Sequence, residues 1–324
     1  MTGIALVGTG MWAPRLAEAA QRAGLSLITC YSRDEARRTA FAERFGCAAA
    51  ARPEEAIGHP DVEGVVIATP NDVHEAHALA CAERGRHVFV EKPIADTLEA
   101  GERMRDACRE AGVVLMVGHA FRRLGAARRT KELIVGGALG EVVLAEANMS
   151  LPGVFRPEAW RAHRSRNPGG PLMQLGIHHV DTLAYWLGPV RGASGRFTNL
   201  RAEADIDDVG VAMLEFHSGA LAALTGSYVS PKTLSLRLLG TEAVVDYRCD
   251  FSVWPEAEAL DGVTSLSLDG EPIDFEERDM LAEELAEFGG CIRGEAATET
   301  GAREGLAALG VILQALAAER EAVG

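Results

Sequence analysis

Gly8-Thr9-Gly10-Met11-Trp12-Ala13 constrains this chain more than any other stretch, because of what stands on either side of it. Ile4-Ala5-Leu6-Val7 is an apolar run too short for a helix and bounded by glycine, so it reads as a buried strand. Pro14 follows the loop, and Leu16, Ala19, Ala20 and Ala23 then recur at helical spacing. Strand, G-x-G-x-x-[GA] and helix in that order form a dinucleotide fingerprint. Gly8 permits the tight turn, Gly10 lets the backbone approach a pyrophosphate, and Ala13 lets the helix come close to the sheet. Thr9, Met11 and Trp12 share the loop and join the two glycines as candidate cofactor contacts. The glycines alone would also suit a plain strand-helix turn; their flanks favour the cofactor.

The second apolar strand, residues 25–31, ends in Ser32-Arg33, about 20 residues past the glycines, where an NAD-binding chain places a carboxylate on the ribose diol. Here that place holds a hydroxyl that can bond a phosphate and a guanidinium that can pair with it or stack on adenine. The expected preference is NADP(H) over NAD(H), with Asp34 next door as the opposing signal and a solvated Arg33 at a helix start as the plain alternative. Strand and helix patterns keep alternating: strands at 62–68, 86–90 and 113–117, a polar turn at 69–72 followed by a helix to about 84, and a helix from about 97 to 111. Such alternation implies a parallel sheet covered on both faces, with ligands bound outside the carboxyl ends of the strands. Gly8, Thr69-Pro70-Asn71, Glu91-Lys92 and Gly118-His119 each follow a strand and should converge on one crevice.

Composition bears on Lys92, because Lys92, Lys131 and Lys232 are the only lysines in the chain. Arginine holds its proton at every useful pH, whereas a partly buried lysine can be tuned to release it. A catalytic acid/base and a surface lysine at a strand end both remain open on that ground. The formal net charge of −15 repels phosphate backbones and anionic membranes, so the expected partner is a small molecule, not nucleic acid or lipid. Six scattered cysteines without a CxxC pair indicate neither a disulfide framework nor a zinc site. No apolar run reaches about 18 residues and no basic segment precedes Ile4, so a soluble, cytoplasmic protein is expected.

With 324 residues and 48% apolar content the chain can form two domains, drawn at 1–120 and 121–324, with the terminal helix 301–321 able to return to the first. Past Gly118 a basic helical stretch, residues 121–139, gives way to period-two runs at 141–148, 209–216, 220–228 and 234–239, and His217-Ser218-Gly219 marks a hairpin. The fold class is thus α/β: a doubly wound parallel sheet, then a domain with a large, mostly antiparallel open sheet. Helices at 278–293 and 303–321 are expected to cover that second sheet, and an exposed remainder would make a homo-oligomer. Residues 169–181, GGPLMQLGIHHVD, hold most of the chemistry. Read as a helix beyond the glycines, they put Gln174, His178 and Asp181 on one polar stripe. Either histidine of the 178–179 pair also suits a satisfied core position. Adjacent helical histidines diverge, and His74-Glu75-Ala76-His77 is one residue short of HExxH, so no metal is expected.

These residues resemble the Gfo/Idh/MocA oxidoreductases, a family named after glucose-fructose oxidoreductase and inositol 2-dehydrogenase. The resemblance rests on the glycine fingerprint, ATPN at 68–71 with His74, GRHVFVEKP at 85–93, GGALGEV at 136–142, Trp160-Arg161, the 169–181 segment and GLAAL at 305–309. It implies a Rossmann domain, a C-terminal α/β domain whose open sheet supports a homodimer or homotetramer, and hydride transfer between a nicotinamide and a sugar, cyclitol or similar carbon. It also implies proton transfer by Lys92, of the EKP triplet, and by His178. One departure stands out: the family's aspartate falls at Gln174, and an amide hydrogen-bonds substrate without exchanging a proton at neutral pH. Arg122, Arg161 and Arg164 are candidates for binding substrate hydroxyls or a carboxylate, with structural roles equally open. Two rival readings share this fold: a cofactor-binding regulator without catalysis, and an NAD-dependent glycoside hydrolase without net redox change.

Overall fold

The computed structural model describes residues 1–153, 158–250 and 260–323, with side chains described through residue 319. The chain forms two compact units: Met1–His119 with Leu281–Leu306, and Ala120–Met280 with Ala307–Gly324.

The first unit alternates β1 (Gly3–Val7), α1 (Ala13–Arg22), β2 (Ser26–Tyr31), α2 (Glu35–Phe45), β3 (Ala48–Ala50), α3 (Pro53–Ile57), β4 (Gly64–Ile67), α4 (His74–Ala82), β5 (His87–Glu91), α5 (Leu98–Glu110) and β6 (Leu115–Gly118). The six strands are parallel in the order β3-β2-β1-β4-β5-β6. β1 and β4 are fully buried, as strands covered on both faces must be. The order reverses direction at β1, so the carboxyl ends of β1, β4, β5 and β6 lie side by side, each with its expected segment attached. β3 and α3 were not anticipated: the alanine run at 48–50 carries no strand signal of its own and is held by pairing to Thr29-Cys30-Tyr31.

The second unit begins with a 3-10 turn at Ala120–Arg123, then α6 (Gly125–Val135) and β7 (Val142–Ser150). A π-helix at Leu172–Gly176 runs into α7 (Ile177–Leu187). Seven further strands follow: β8 (Val190–Thr198), β9 (Val209–Phe216), β10 (Leu221–Ser227), β11 (Thr233–Gly240), β12 (Val244–Cys249), β13 (Thr264–Leu268) and β14 (Glu271–Pro272). The eight-stranded sheet has the order β14-β13-β12-β11-β7-β10-β9-β8, antiparallel except between β7 and β10. The hairpin between β9 and β10 turns at Gly219, as its residues forecast.

The last two helices are α8 (Met280–Ile292) and α9 (Ala302–Val323). The expectation that both cover the antiparallel sheet is corrected for α8. Phe288 of this helix meets Phe89 of β5 with ring centroids 5.8 Å apart. A Cβ on Gly64 would lie 2.7 Å from Ile292 and 2.9 Å from Phe288, so glycine in β4 is what admits the helix. α8 therefore covers the parallel sheet of the first unit. The later part of α9 does meet the second sheet, through Ala315 beside Gly195 and Glu319 accepting the Phe197 amide at 3.0 Å.

Candidate active site

In the first unit the site is assembled from strand ends. Gly8 has φ +102° and donates its amide to the Tyr31 carbonyl at 2.8 Å, and a Cβ there would come within 2.5 Å of the Ala68 carbonyl oxygen. Only glycine holds that turn. At Gly10 a Cβ would meet nothing within 4 Å, leaving open space beside the start of α1. That helix has Pro14 in its first turn, no acidic residue there and no side-chain cap, so its leading amides carry the unbalanced positive end of the helix dipole. The hydroxyls of Thr9 and Thr69, at the adjacent ends of β1 and β4, are buried without a hydrogen-bond partner. Open space, unpaired donors and a helix N-terminus together match a bound dinucleotide pyrophosphate, so the residues present fit a nicotinamide dinucleotide.

Two contacts tie this loop to the Lys92 segment. The Trp12 indole N–H donates to Glu91 Oε1 at 2.8 Å, closing the glycine loop onto the end of β5. Glu91 Oε2 accepts the Lys92 amide at 3.2 Å, and the Lys92 side chain is half-buried at the same strand end. His74 is wholly buried, with Nε2 3.0 Å from the Thr69 carbonyl and Nδ1 3.1 Å from that of Pro93, so it pins the loop after β4 to the loop after β5. Burial pushes the His74 pKa down, with the carbonyl bonds pulling the other way. Its ring addresses backbone on both sides, whereas Asn71, buried beside it at the start of a 3-10 turn, follows Thr69-Pro70 directly. Met11 lies 89% exposed.

At the end of β2, Ser32 donates its hydroxyl to the Asp34 carbonyl at 3.1 Å, and Arg38 donates to the Ser32 carbonyl at 3.3 Å. The Asp34 carboxylate caps α2 by accepting the Arg37 amide at 3.0 Å. The neighbouring carboxylate is thus engaged at a helix terminus, and Arg33 is exposed.

In the second unit the segment read as one continuous helix starts instead as a π-helix, which shifts the stripe between Gln174 and His178. The widened turn seats Leu172 against two strands: a Cβ on Gly210 would meet Leu172 at 2.8 Å and one on Gly226 at 3.1 Å. Such turns recur at functional sites. His178 stacks on Phe121, with ring centroids 4.1 Å apart and planes 16° from parallel. His179 is the core histidine: it bonds the Asn148 carbonyl at 3.1 Å, and complete burial pushes its pKa down to about 4. Asp181 and Arg122 form a buried bidentate ion pair with contacts of 2.5 and 2.8 Å. Arg164 pairs with Asp207 at 3.0 Å and is half-exposed, while Arg161 lies over the Trp160 ring at 4.3 Å. Gln174 donates Nε2–H to Asn167 Oδ1 at 3.1 Å, and Asn167 donates Nδ2–H to the Arg161 carbonyl at 3.2 Å. Gln174 and Arg161 are therefore linked through Asn167, a residue the sequence reading passed over because an Asn before Pro-Gly-Gly reads as turn chemistry.

Comparison with known proteins agrees with this arrangement. Residues 2–119 match the sequence profile of an oxidoreductase family with an NAD-binding Rossmann fold, and residues 127–246 match the GFO/IDH/MocA C-terminal domain. The chain is 31% identical to 1,5-anhydro-D-fructose reductase of Ensifer adhaerens over 55% of its own length and 54% of the relative's, so it spans about half of that protein. It is 32% identical to D-xylose 1-dehydrogenase (NADP(+)) 2 of Haloferax volcanii over 70% of each chain. A solved candidate NADPH-dependent oxidoreductase from Desulfitobacterium hafniense superposes with a TM-score of 0.92 at 36% identity, covering 99% of this chain and 96% of that one. Fingerprint loop, EKP strand end and both halves of the fold thus carry one assignment: the chain belongs to the Gfo/Idh/MocA oxidoreductase family.

Proposed function

We propose that the chain is an NAD(P)-dependent dehydrogenase or reductase acting on a hydroxyl or carbonyl carbon of a sugar, cyclitol or related small molecule. The observation that carries this reading is the Trp12–Glu91 bond, which closes a phosphate-binding loop onto the strand end bearing Lys92. Thr9, Gly10, Thr69 and the first amides of α1 would hold the dinucleotide, whose nicotinamide, when bound, supplies a hydride acceptor or donor. Lys92 or His178 holds and moves the proton of the substrate oxygen. Gln174 orients a substrate hydroxyl without exchanging a proton. Arg161 and Arg164 add cationic donors to the substrate side, while Arg122, paired with Asp181, holds α7 in place.

NADP(H) is the favoured cofactor in this reading. Ser32 and Arg33 stand where a ribose-binding carboxylate would be, and Asp34 is engaged in capping α2. The Haloferax relative is itself named for NADP+. The assembly is proposed to be a homo-oligomer formed on the outer face of the eight-stranded sheet, where Val211, Met213 and Leu221 are exposed by 46%, 56% and 41%.

A screen of D-xylose, levoglucosan, 1,5-anhydro-D-fructose and cyclitols with NADP+, NADPH, NAD+ and NADH tests the activity. Lys92→Met and His178→Ala should each lower kcat by about 100-fold or more with cofactor affinity nearly unchanged. Turnover equal to wild type in both variants would remove these assignments, and a lower KM for NADH than for NADPH would remove the cofactor preference.

A further inference from the structure

Leu172 sits in a seat built from glycines. Its side chain is 0% exposed. A Cβ on Gly210 of β9 would lie 2.8 Å from its Cγ, and one on Gly226 of β10 would lie 3.1 Å from its Cδ2. A Cβ on Gly176, at the end of the same π turn, would lie 3.0 Å from that Cδ2. Gly210 and Gly226 are register partners on adjacent strands, and both are buried, so their absent side chains make one notch in the covered face of the sheet. None of these positions has a positive φ, so the backbone there would accept other residues. Glycine in a strand or helix interior is otherwise a cost. The space for Leu172 is what requires it.

The main chain of the same residue closes the wide turn. The Leu172 carbonyl accepts the Ile177 amide, five residues on, which is the bond that makes the turn π and not α. Leu172 is thus held by its side chain in the sheet and by its carbonyl in the helix. His178 follows Ile177 directly, in the first turn of α7, and its ring stacks on Phe121 with centroids 4.1 Å apart and planes 16° from parallel. Such a contact depends on ring geometry, so a small slide or tilt of the helix loses it. A close-packed interior passes a shift of Leu172 on to the turn above it.

We propose that Gly210 and Gly226 are positioning residues: the notch they form seats Leu172, and that seat fixes the turn from which α7 presents His178 to the substrate oxygen. The inference rests on the reading of His178 as a residue that moves the substrate proton. It assigns the alignment of that residue to two strand positions that carry no reacting group.

The test exchanges one methylene between the seat and its occupant. Gly226→Ala adds a methyl group against Leu172 Cδ2, and Leu172→Val removes a methylene from the same contact, so the double variant conserves volume. Turnover of the fastest sugar in the screen is counted per NADPH-binding site, so loss of folded protein does not register as loss of rate. Gly226→Ala should lower kcat about tenfold, with the NADPH dissociation constant unchanged. The double variant should return kcat to within about threefold of wild type. Gly210→Ala presses on the less mobile Cγ and should lower kcat further. Proton NMR gives a readout independent of turnover. The Phe121 ring current holds the His178 ring protons upfield, and their signal is the one missing from His178→Ala. Gly226→Ala should move it toward the other histidines, and the double variant should bring it back. If Gly226→Ala does not fold, Leu172→Val alone loosens the seat and should lower kcat and move the same signal. Wild-type kcat and an unmoved signal in the single variants would make the glycines a packing requirement only and overturn the proposal. A loss of kcat that the double variant does not recover would also overturn it. If His178→Ala turns over at the wild-type rate, the failure lies in the reading of His178, and the inference falls with it even where the signal moves.

Discussion

Arg122 and Asp181 place two full charges where side-chain exposure is 7% and 2%. Such a pair adds little over an apolar replacement, but removing one partner strands the other charge. Asp181→Ala should therefore cost about 3–5 kcal/mol in urea unfolding, and a double change of both residues to leucine should cost less. His179 supplies a pH dependence of known sign. Its folded pKa of about 4 lies below the ordinary imidazole value, so the unfolded chain binds more protons between the two. Stability is full above about pH 6.5 and is lost as pH falls toward about 4, by up to about 3 kcal/mol from this group. His179→Gln should flatten that part of a stability-versus-pH curve measured by denaturant unfolding. Legibility at this scale follows the range of the constraint. Gly8 could be read because its backbone demand is local. The linkage of Gln174 to Asn167 could not, since it depends on two chain segments meeting seven residues apart around a pair of glycines at positive φ.

Among the elements, α8 shows why a helix's apolar face does not name the sheet it covers. Its sequence fits either sheet, and the choice is made in β4, where Gly64 leaves room for Phe288 and Ile292. Phe288→Ala removes a fully buried ring from that seam and should cost about 3–5 kcal/mol in chemical denaturation. The strands β1, β4, β5 and β6 were legible as short, mainly apolar runs after which the chemistry-bearing residues fall. β3 was not, because three alanines take their conformation from pairing with β2. The π-helix at Leu172–Gly176 also escaped the sequence, since a five-residue stretch is too short for its period to differ visibly from an α-helix.

For the whole molecule, the outer face of the eight-stranded sheet carries the proposed assembly. Met213 sits across β9 from Ala223 of β10 and Ser194 of β8, so its exposed side chain lies among small neighbours. Met213→Arg places a charge on that face and should yield a monomer in size-exclusion chromatography with light scattering, while wild type elutes as a dimer or larger. Turnover in the monomer would separate assembly from catalysis.

The first unit is built from two separated stretches, and its last contacts come from far along the chain. Val117 in β6 donates its amide to the Thr300 carbonyl at 2.7 Å and accepts the Thr300 hydroxyl at 2.8 Å. A ribosome makes residues 120–280, 161 of them, between the end of β6 and the return of α8. At about 5–20 residues per second that interval is roughly 8–32 s. Throughout it the nascent parallel sheet has no Phe288 at Gly64 and Phe89, and no Thr300 beside Val117. The domain begun first must wait for residues 281–306, so a translation pause or a premature stop between residues 120 and 280 leaves an apolar seam open to chaperones and to other nascent chains.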